Sequence, residues 1–375
     1  MKHLNEQEFT YPRKIRKAEF FLVESQKEKT EIQIGLATEA SPEHPLVNED
    51  SYYVLEEHGL IMVADGVGGG IGGDLASRQA AQELTRPNPT KHDDTMRTVM
   101  DADREKPLNT QIVEDAFNAT LENMQRSILE MQKTPEVIQL AVRTALTQYG
   151  QRLDPNNPKD RQKVLNLAES MSCTATLAKT WMGQNGKSFI TFGNVGDSRA
   201  YRLRKGRLER MTSDHSLVQA LVDERVRDTR SEIIEDDQDI TRSVGMSELK
   251  KHQKNPLIKQ IIHLLDAENK TEVTIDEIRR YVTETLGKHF NKTEKLTPDI
   301  RTEELHHDDI ILLCTDGLSD VLTDDEIRAI IERHKENMLD AAQSLIKAAA
   351  NRSTTSHLRA KPDDITAIVQ RFKTT

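Results

Sequence analysis

The chain reads as an α+β protein built on antiparallel sheets. Three observations lead there. Apolar segments of strand length come in runs, glycines punctuate those runs at hairpin spacing, and the helical patterns are gathered between them. An alternating parallel architecture would need a crossover helix after each strand, and the run over residues 172–211 leaves no room for one.

The elements follow in order. Residues 1–30 are polar and mixed in charge, and the first clear period, a strand-like alternation, covers residues 31–38 (EIQIGLAT). Residues 51–56 and 59–64 are strands across a short polar break that suits a hairpin. Asp65 comes next, then a glycine cluster and a helical pattern over residues 75–84. Residues 86–170 are mostly polar, with helices expected at 111–131 and 137–149 and a Pro/Asn-rich break at 154–159. Residues 172–182, 188–195, 199–204 and 207–211 form a meander punctuated by Gly183, Gly186, Gly196 and Gly206. An apolar strand at 309–314, helices at 324–333 and 338–350, and a last strand at 365–371 complete the order. The charged, helix-patterned block at about 246–297 reads as an insertion.

Composition removes several function classes. With 62 Asp+Glu against 52 Lys+Arg the formal charge is -10, the wrong sign for a protein whose main task is neutralising phosphate backbones, so nucleic acid is not expected as a partner. No stretch approaches the roughly 20 apolar residues of a membrane span, and residues 1–10 lack an apolar signal core. A soluble, cytoplasmic protein is expected, with delivery to another cell by a signal-less route left open. Cys173 and Cys314 lie in apolar or small-residue runs and read as buried thiols, with neither a disulfide framework nor a cysteine zinc site.

Chemistry concentrates in four aspartates that share one local grammar, an Asp at the end of an apolar strand or at the turn that begins one. They are Asp50 (NED), Asp65 (MVADG), Asp316 (LLCTDG) and Asp363 (PDDIT). Carboxylates at strand ends can converge on one sheet edge, and hard cations such as Mg²⁺ or Mn²⁺ take oxygen ligands of that kind. Without a cation, like charges within about 4 to 6 Å would raise one another's pKa. The glycines after Asp65 and Asp316 allow tight backbone approach.

The ordered segments NED, ADGVGG, SCTAT, GDSRAYR, TSDHS, ITRSVG, CTDGLSD and PDDIT resemble the type-2C, metal-dependent serine/threonine protein phosphatases, bacterial members included, over most of residues 31–372. The resemblance implies a four-layer α-β-β-α sandwich of two antiparallel sheets flanked by helices, with an inserted helical hairpin. It makes residues 1–30 a polar extension and 31–375 the phosphatase domain, with the insertion at about 246–297. It implies that Asp65 bridges two ions of Mn or Mg, that Gly66 offers its carbonyl, that Asp316 and Asp363 ligate one ion, and that Glu49 and Asp50 bind the other, partly through water. Asp197 resembles the position that, with the Asp316 equivalent, holds a weaker third metal. The reaction implied is hydrolysis of phosphoserine and phosphothreonine in a phosphoprotein, by direct attack of a water bridging two divalent ions and with no covalent enzyme intermediate.

Several positions depart from the family's pattern. An Arg that grips phosphate commonly stands three residues before the Asn of Asn-Glu-Asp, where this chain has Pro45, and His44 is the candidate substitute as a phosphate contact. Val67 stands where some relatives carry a general-acid His, which leaves the leaving-group proton to another group, His215 among the candidates. Asp364 replaces a common Asn, a change expected to be tolerated. Residues 266–277 (DAENKTEVTIDE) mimic a calcium loop, but Lys270 and Thr271 stand where an oxygen ligand and a glycine belong. Thr274 and Glu277 read equally as a capping box, so calcium is not expected. Gly68, Gly70 and Gly73 satisfy G-x-G-x-x-G, yet no acidic strand end follows about 20 residues on, against a dinucleotide site. The rival from another class is a catalytically weak member acting as a phosphoprotein-binding or regulatory module.

Overall fold

The computed structural model describes residues 19–27, 30–67, 71–84, 96–97, 99–100, 107–215, 244–245, 272–273, 298–357 and 359–374. The chain divides into two compact units, Met1–Ser213 with Thr285–Thr375, and Asp214–Glu284.

In the first unit the ladders between the described strands are antiparallel, as the meander spacing predicts. One sheet runs in the order β1 (Glu19–Lys27), β2 (Thr30–Glu39), β13 (Ile365–Thr374), β12 (Ile310–Cys314), β7 (Arg199–Arg204) and β8 (Arg207–Arg210). The other runs β11 (Asp299–Glu304), β6 (Ser188–Val195), β5 (Ala175–Met182), β4 (Leu60–Ala64) and β3 (Ser51–Leu55). β1 lies inside the stretch read as a polar extension: it pairs with β2 along its whole length, from Glu19 opposite Thr38 to Lys27 opposite Thr30, so the sheet begins upstream of residue 31. β11 (DIRTEE) is the other strand that apolar patterning missed. It is an edge strand whose six residues are all half-buried, so it carries no apolar signature.

Three cores show the layering. Between the sheets, Ile32, Ile34 and Leu36 of β2 meet Ile61 and Val63 of β4, Phe192 of β6, Ile311 and Leu313 of β12, and Ile368 and Phe372 of β13. The intervening residues of the same strands face the helices. Leu312, Ala367 and Val369 pack with Ile327 and Ile331 of α6 (Asp324–Arg333) and with Leu345 and Ile346 of α7 (Met338–Ser353). On the far side, Met62 and Leu177 pack with Ala76 and Ala80 of α1 (Gly73–Glu83), Phe117 and Leu121 of α2 (Thr110–Met131), Val137 of α3 (Pro135–Tyr149) and Val164 of α4 (Pro158–Ala168). Period-two alternation thus feeds two cores from one strand, each fully buried Leu, Ile or Phe contributing about 1.5–3 kcal/mol relative to exposure. The result is the expected α-β-β-α sandwich.

Local signals set the helix ends. Asn109, Thr134, Asn157, Thr323 and Asn337 each accept a first-turn N–H, and Thr323 with Glu326 forms a reciprocal capping box. The Pro/Asn-rich break at 154–159 therefore opens a helix, α4, with Asn157 as its cap and Pro158 in the first turn.

In the second unit the described residues include β9 (Val244–Gly245) and β10 (Glu272–Val273), which pair antiparallel. Apart from Glu272 and Val273, the calcium-loop mimic at 266–277 and the helical block at 246–297 lie outside the described residues. Cys173 and Cys314 are buried thiols. Among the described residues no helix is long and apolar enough to cross a membrane.

Candidate metal centre

Strand register brings the aspartates to one end of the sandwich. Ser51 sits opposite Ala64 in the β3–β4 ladder, so Asp50 enters where Asp65 leaves. Cys314 sits opposite Ala367 in the β12–β13 ladder, and Thr315 N–H continues it by donating to Thr366 O at 3.1 Å. Asp316, which opens the short helix α5 (Asp316–Ser319), therefore leaves one sheet beside the point where Asp363 and Asp364 enter it.

Asp50 ties the two sheets together. Its Oδ2 accepts from Thr315 Oγ1 at 2.9 Å and from Thr366 Oγ1 at 2.6 Å, both hydroxyls belonging to the opposite sheet. With the Thr366 proton used there, the 2.8 Å contact between Thr38 and Thr366 runs with Thr38 donating, and Asn48 Nδ2 in turn donates to Thr38 Oγ1 at 2.9 Å. The Asn48 side chain also accepts from Asp50 N–H at 2.9 Å. Asn48 of the NED segment thus orients the loop that its neighbours use.

Asp364 holds the same loop from the other side. Its carboxylate accepts Ser41 N–H and Glu49 N–H, each at 2.6 Å. An Asn there would offer only one acceptor oxygen to these two donors, so the acidic residue is a better fit than mere tolerance. Gly66 N–H donates to Glu49 O at 3.1 Å, and a Cβ on Gly66 would lie 2.4 Å from the Gly73 carbonyl, so only glycine admits the helix to this approach. Asp197 sits half-buried in the β6–β7 turn. Its neighbour Ser198 contacts Thr174 Oγ1 at 2.7 Å, the same oxygen that accepts Asp65 N–H at 2.9 Å.

The electrostatics record crowding. Burial, then Asp50, Asp316 and Asp363, push the Asp65 carboxyl well above the usual carboxylate range, with Lys361 acting the other way. Burial and Asp364 do the same to Asp50, against the two threonine hydroxyls that favour its charged form. Burial lifts Glu49 to about 7, opposed by His44, and lifts Asp363 to about 6, opposed by Lys361. His44 is at the margin: its Nδ1 donates to Val47 O at 2.9 Å and lies 3.7 Å from Asp364 Oδ1.

Two residues absent from the sequence reading sit in this cluster. Lys361 Nζ lies 2.5 Å from Asp316 Oδ2, 2.9 Å from Asp363 Oδ2 and 3.5 Å from Asp320 Oδ2. Asp320, four residues after Asp316, sits one helical turn along; that spacing was the available signal. Lys361, two residues before Asp363, had none beyond proximity. His215, weighed as a proton donor, belongs to the second unit.

The donor set suits a hard divalent ion, being all oxygen, with Asp50 Oδ1 buried and without a hydrogen-bond partner. As the side chains stand, no group of three acidic, His or Cys residues among those described encloses an ion position. The ammonium of Lys361 is what lies between Asp316 and Asp363.

Residues 111–358, well over half of the chain, match the family model described as Protein phosphatase 2C. Among solved structures, the Mycobacterium tuberculosis serine/threonine phosphatase PstP/Ppp is similar at a TM-score of 0.52 and 20% identity, over 91% of this chain and 99% of that one. The S. agalactiae serine/threonine phosphatase is similar at 0.54 and 20%, over 90% and 98%. A bacterial serine phosphatase is similar at 0.56 and 18%, over 91% and 98%. At such identities the likeness speaks for the fold. No curated protein matches the chain by sequence.

Proposed function

The chain belongs to the protein phosphatase 2C family of serine/threonine protein phosphatases, and from that premise we propose that the acidic end of its sandwich hydrolyses phosphoserine and phosphothreonine esters in a phosphoprotein substrate. The observation that carries the reading is that strand register and the cross-sheet bonds of Asp50 bring Asp50, Asp65, Asp316 and Asp363, four strand-end carboxylates drawn from both sheets, to one end of the sandwich.

In this proposal Asp65 would serve two ions of Mn²⁺ or Mg²⁺, Asp316 and Asp363 would hold one, Glu49 and Asp50 would hold the other, partly through water, Gly66 would offer its carbonyl, and Asp197 would serve a weaker third. Bound ions supply a water of lowered pKa and positive charge opposite the phosphoryl oxygens. The chain's own residues do the positioning. Thr315 and Thr366 fix the Asp50 carboxylate, Asp364 fixes the Glu49 backbone, and Thr174 fixes the Asp65 backbone. His44 spends its Nδ1–H on Val47 O, so it would donate to a phosphate oxygen only as the imidazolium, whose Nε2 also carries a proton. The phosphatase domain is taken as residues 31–375 together with β1, interrupted by the insertion at about 246–297, and its reaction is placed in the cytoplasm.

Turnover of p-nitrophenyl phosphate and of a phosphothreonine peptide in Mn²⁺, lost on chelation and restored by fresh metal, is the expected result. Saturable Mn²⁺ binding without any turnover of either substrate would sink the catalytic reading and favour the binding-module alternative.

A further inference from the structure

Asp316 and Asp363, the two carboxylates assigned above to one ion, already hold a cation that the chain itself supplies. The Lys361 ammonium takes Asp316 Oδ2 at 2.5 Å and Asp363 Oδ2 at 2.9 Å, with Asp320 Oδ2 at 3.5 Å. This is no surface pairing. Asp320 and Asp316 are only 12% and 15% exposed at their side chains, and Lys361 is 36% exposed. Three carboxylates converge on one ammonium, which is the arrangement that keeps crowded acids ionised when burial disfavours charge.

A divalent ion on Asp316 and Asp363 would compete for the same two carboxylates, whose Oδ2 atoms the ammonium already contacts. It cannot sit beside an ammonium within hydrogen-bond distance of them without strong like-charge repulsion, so the two cations exclude each other. Lys361 is also two residues from Asp363, with Pro362 between them, so its effective concentration at the site is high and constant. We propose that Lys361 is a tethered rival to the metal, a positioning residue that keeps Asp316 and Asp363 converged and sets the ion concentration needed to load them. Metal entry then requires the ammonium to leave its three partners, and its side chain is exposed enough to do so. The inference rests on the ligand assignment in the proposed function.

Mn²⁺ titration calorimetry on the full chain tests it. Lys361→Met should tighten Mn²⁺ binding at least tenfold over wild type, and the gain in Tm at saturating Mn²⁺ should be larger in the variant, since the chelated variant has lost its internal counter-cation. Lys361→Arg keeps a cation at the position and should bind Mn²⁺ no more tightly than wild type. If Lys361→Met fails to fold, as circular dichroism would report, Lys361→Gln serves in the same titration with the same tightening expected. A wild-type Kd in Lys361→Met, or equal tightening in Lys361→Arg, overturns the inference while leaving the phosphatase reading intact. Absence of Mn²⁺ binding in both wild type and Lys361→Met would overturn the ligand assignment itself.

Discussion

Raising the pH from about 5 to 8 in the presence of a chelator should destabilise the protein, and the size of the effect follows from two carboxyls. Burial pushes Glu49 up to about 7 from an ordinary 4.5, against the lowering influence of His44. Burial pushes Asp363 up to about 6 from 3.8, against Lys361. Between the ordinary and the shifted value, the native chain holds a proton that the unfolded chain has released. Stability from such a group is complete below its ordinary pKa and is lost as the pH rises through the folded one. At about 1.4 kcal/mol per unit, Glu49 accounts for a loss of about 2–3 kcal/mol between pH 5 and 8, and Asp363, whose loss begins below pH 5, for about 1–2 kcal/mol. The two groups share neighbours and do not add, so a total of about 3–4 kcal/mol is expected across the window. His44, also raised, acts with the same sign, since Val47 and the acids Asp364, Glu49 and Asp363 outweigh the lowering by burial. The lowered carboxyl of Glu326, held down to about 2 chiefly by Arg352, titrates below this window and does not oppose the trend. Urea midpoints at several pH values, in EDTA and again in Mn²⁺, measure it. The Mn²⁺ series should be flatter or reversed, because metal takes the ionised carboxylates. Glu49→Gln should remove part of the slope in EDTA. Stability that is flat or rises with pH in EDTA would falsify the reasoning, as would an unchanged slope in Glu49→Gln.

Asp65→Asn or Asp316→Asn should lower turnover of p-nitrophenyl phosphate at saturating Mn²⁺ by about two to three orders of magnitude or more with circular dichroism unchanged, on the scale of one electrostatic group lost from a preorganised site; wild-type-like turnover refutes the assignment. Pro45→Arg, at an exposed position in the turn closed by Val47 N–H to His44 O at 3.0 Å, should lower KM by up to about tenfold, the worth of one charge-assisted hydrogen bond. An unchanged KM means that the loop presents this residue elsewhere. Gly317→Ala should cost about 1–3 kcal/mol or more in urea, because the new Cβ would lie 2.1 Å from the Asp364 carbonyl oxygen; a change under about 0.5 kcal/mol sinks the claim that this approach is tight.

Much of the site could be read before any fold was known because its residues carry a local mark. Asp65 and Asp316 each follow a fully buried apolar strand and precede a glycine, and Asp363 precedes another strand. The glycines were read as permitting tight backbone approach, and the structure adds what they approach: the Gly73 and Asp364 carbonyls. Thr315, Thr366 and Lys361 carried no such mark. A threonine at a strand end looks like any other, and Asp50 finds these two 265 and 316 residues away.

What the sequence determined by itself is whatever neighbours along the chain can encode. Period-two runs gave the strands their two faces, and the helix expected at residues 324–333 opens on a capping box between near neighbours, Thr323 and Glu326. Even the misread break at 154–159 held its cap in plain view, Asn157 before Pro158. Only the tertiary structure decided that Asp364 would clasp the Glu49 loop, that two threonines would cross from one sheet to the other for Asp50, and that a lysine would settle among the acids. Those meetings depend on the register of ladders between strands hundreds of residues apart. A shift of one residue would turn each of these side chains to the opposite face, and nothing in a local pattern specifies which partner strand will be there.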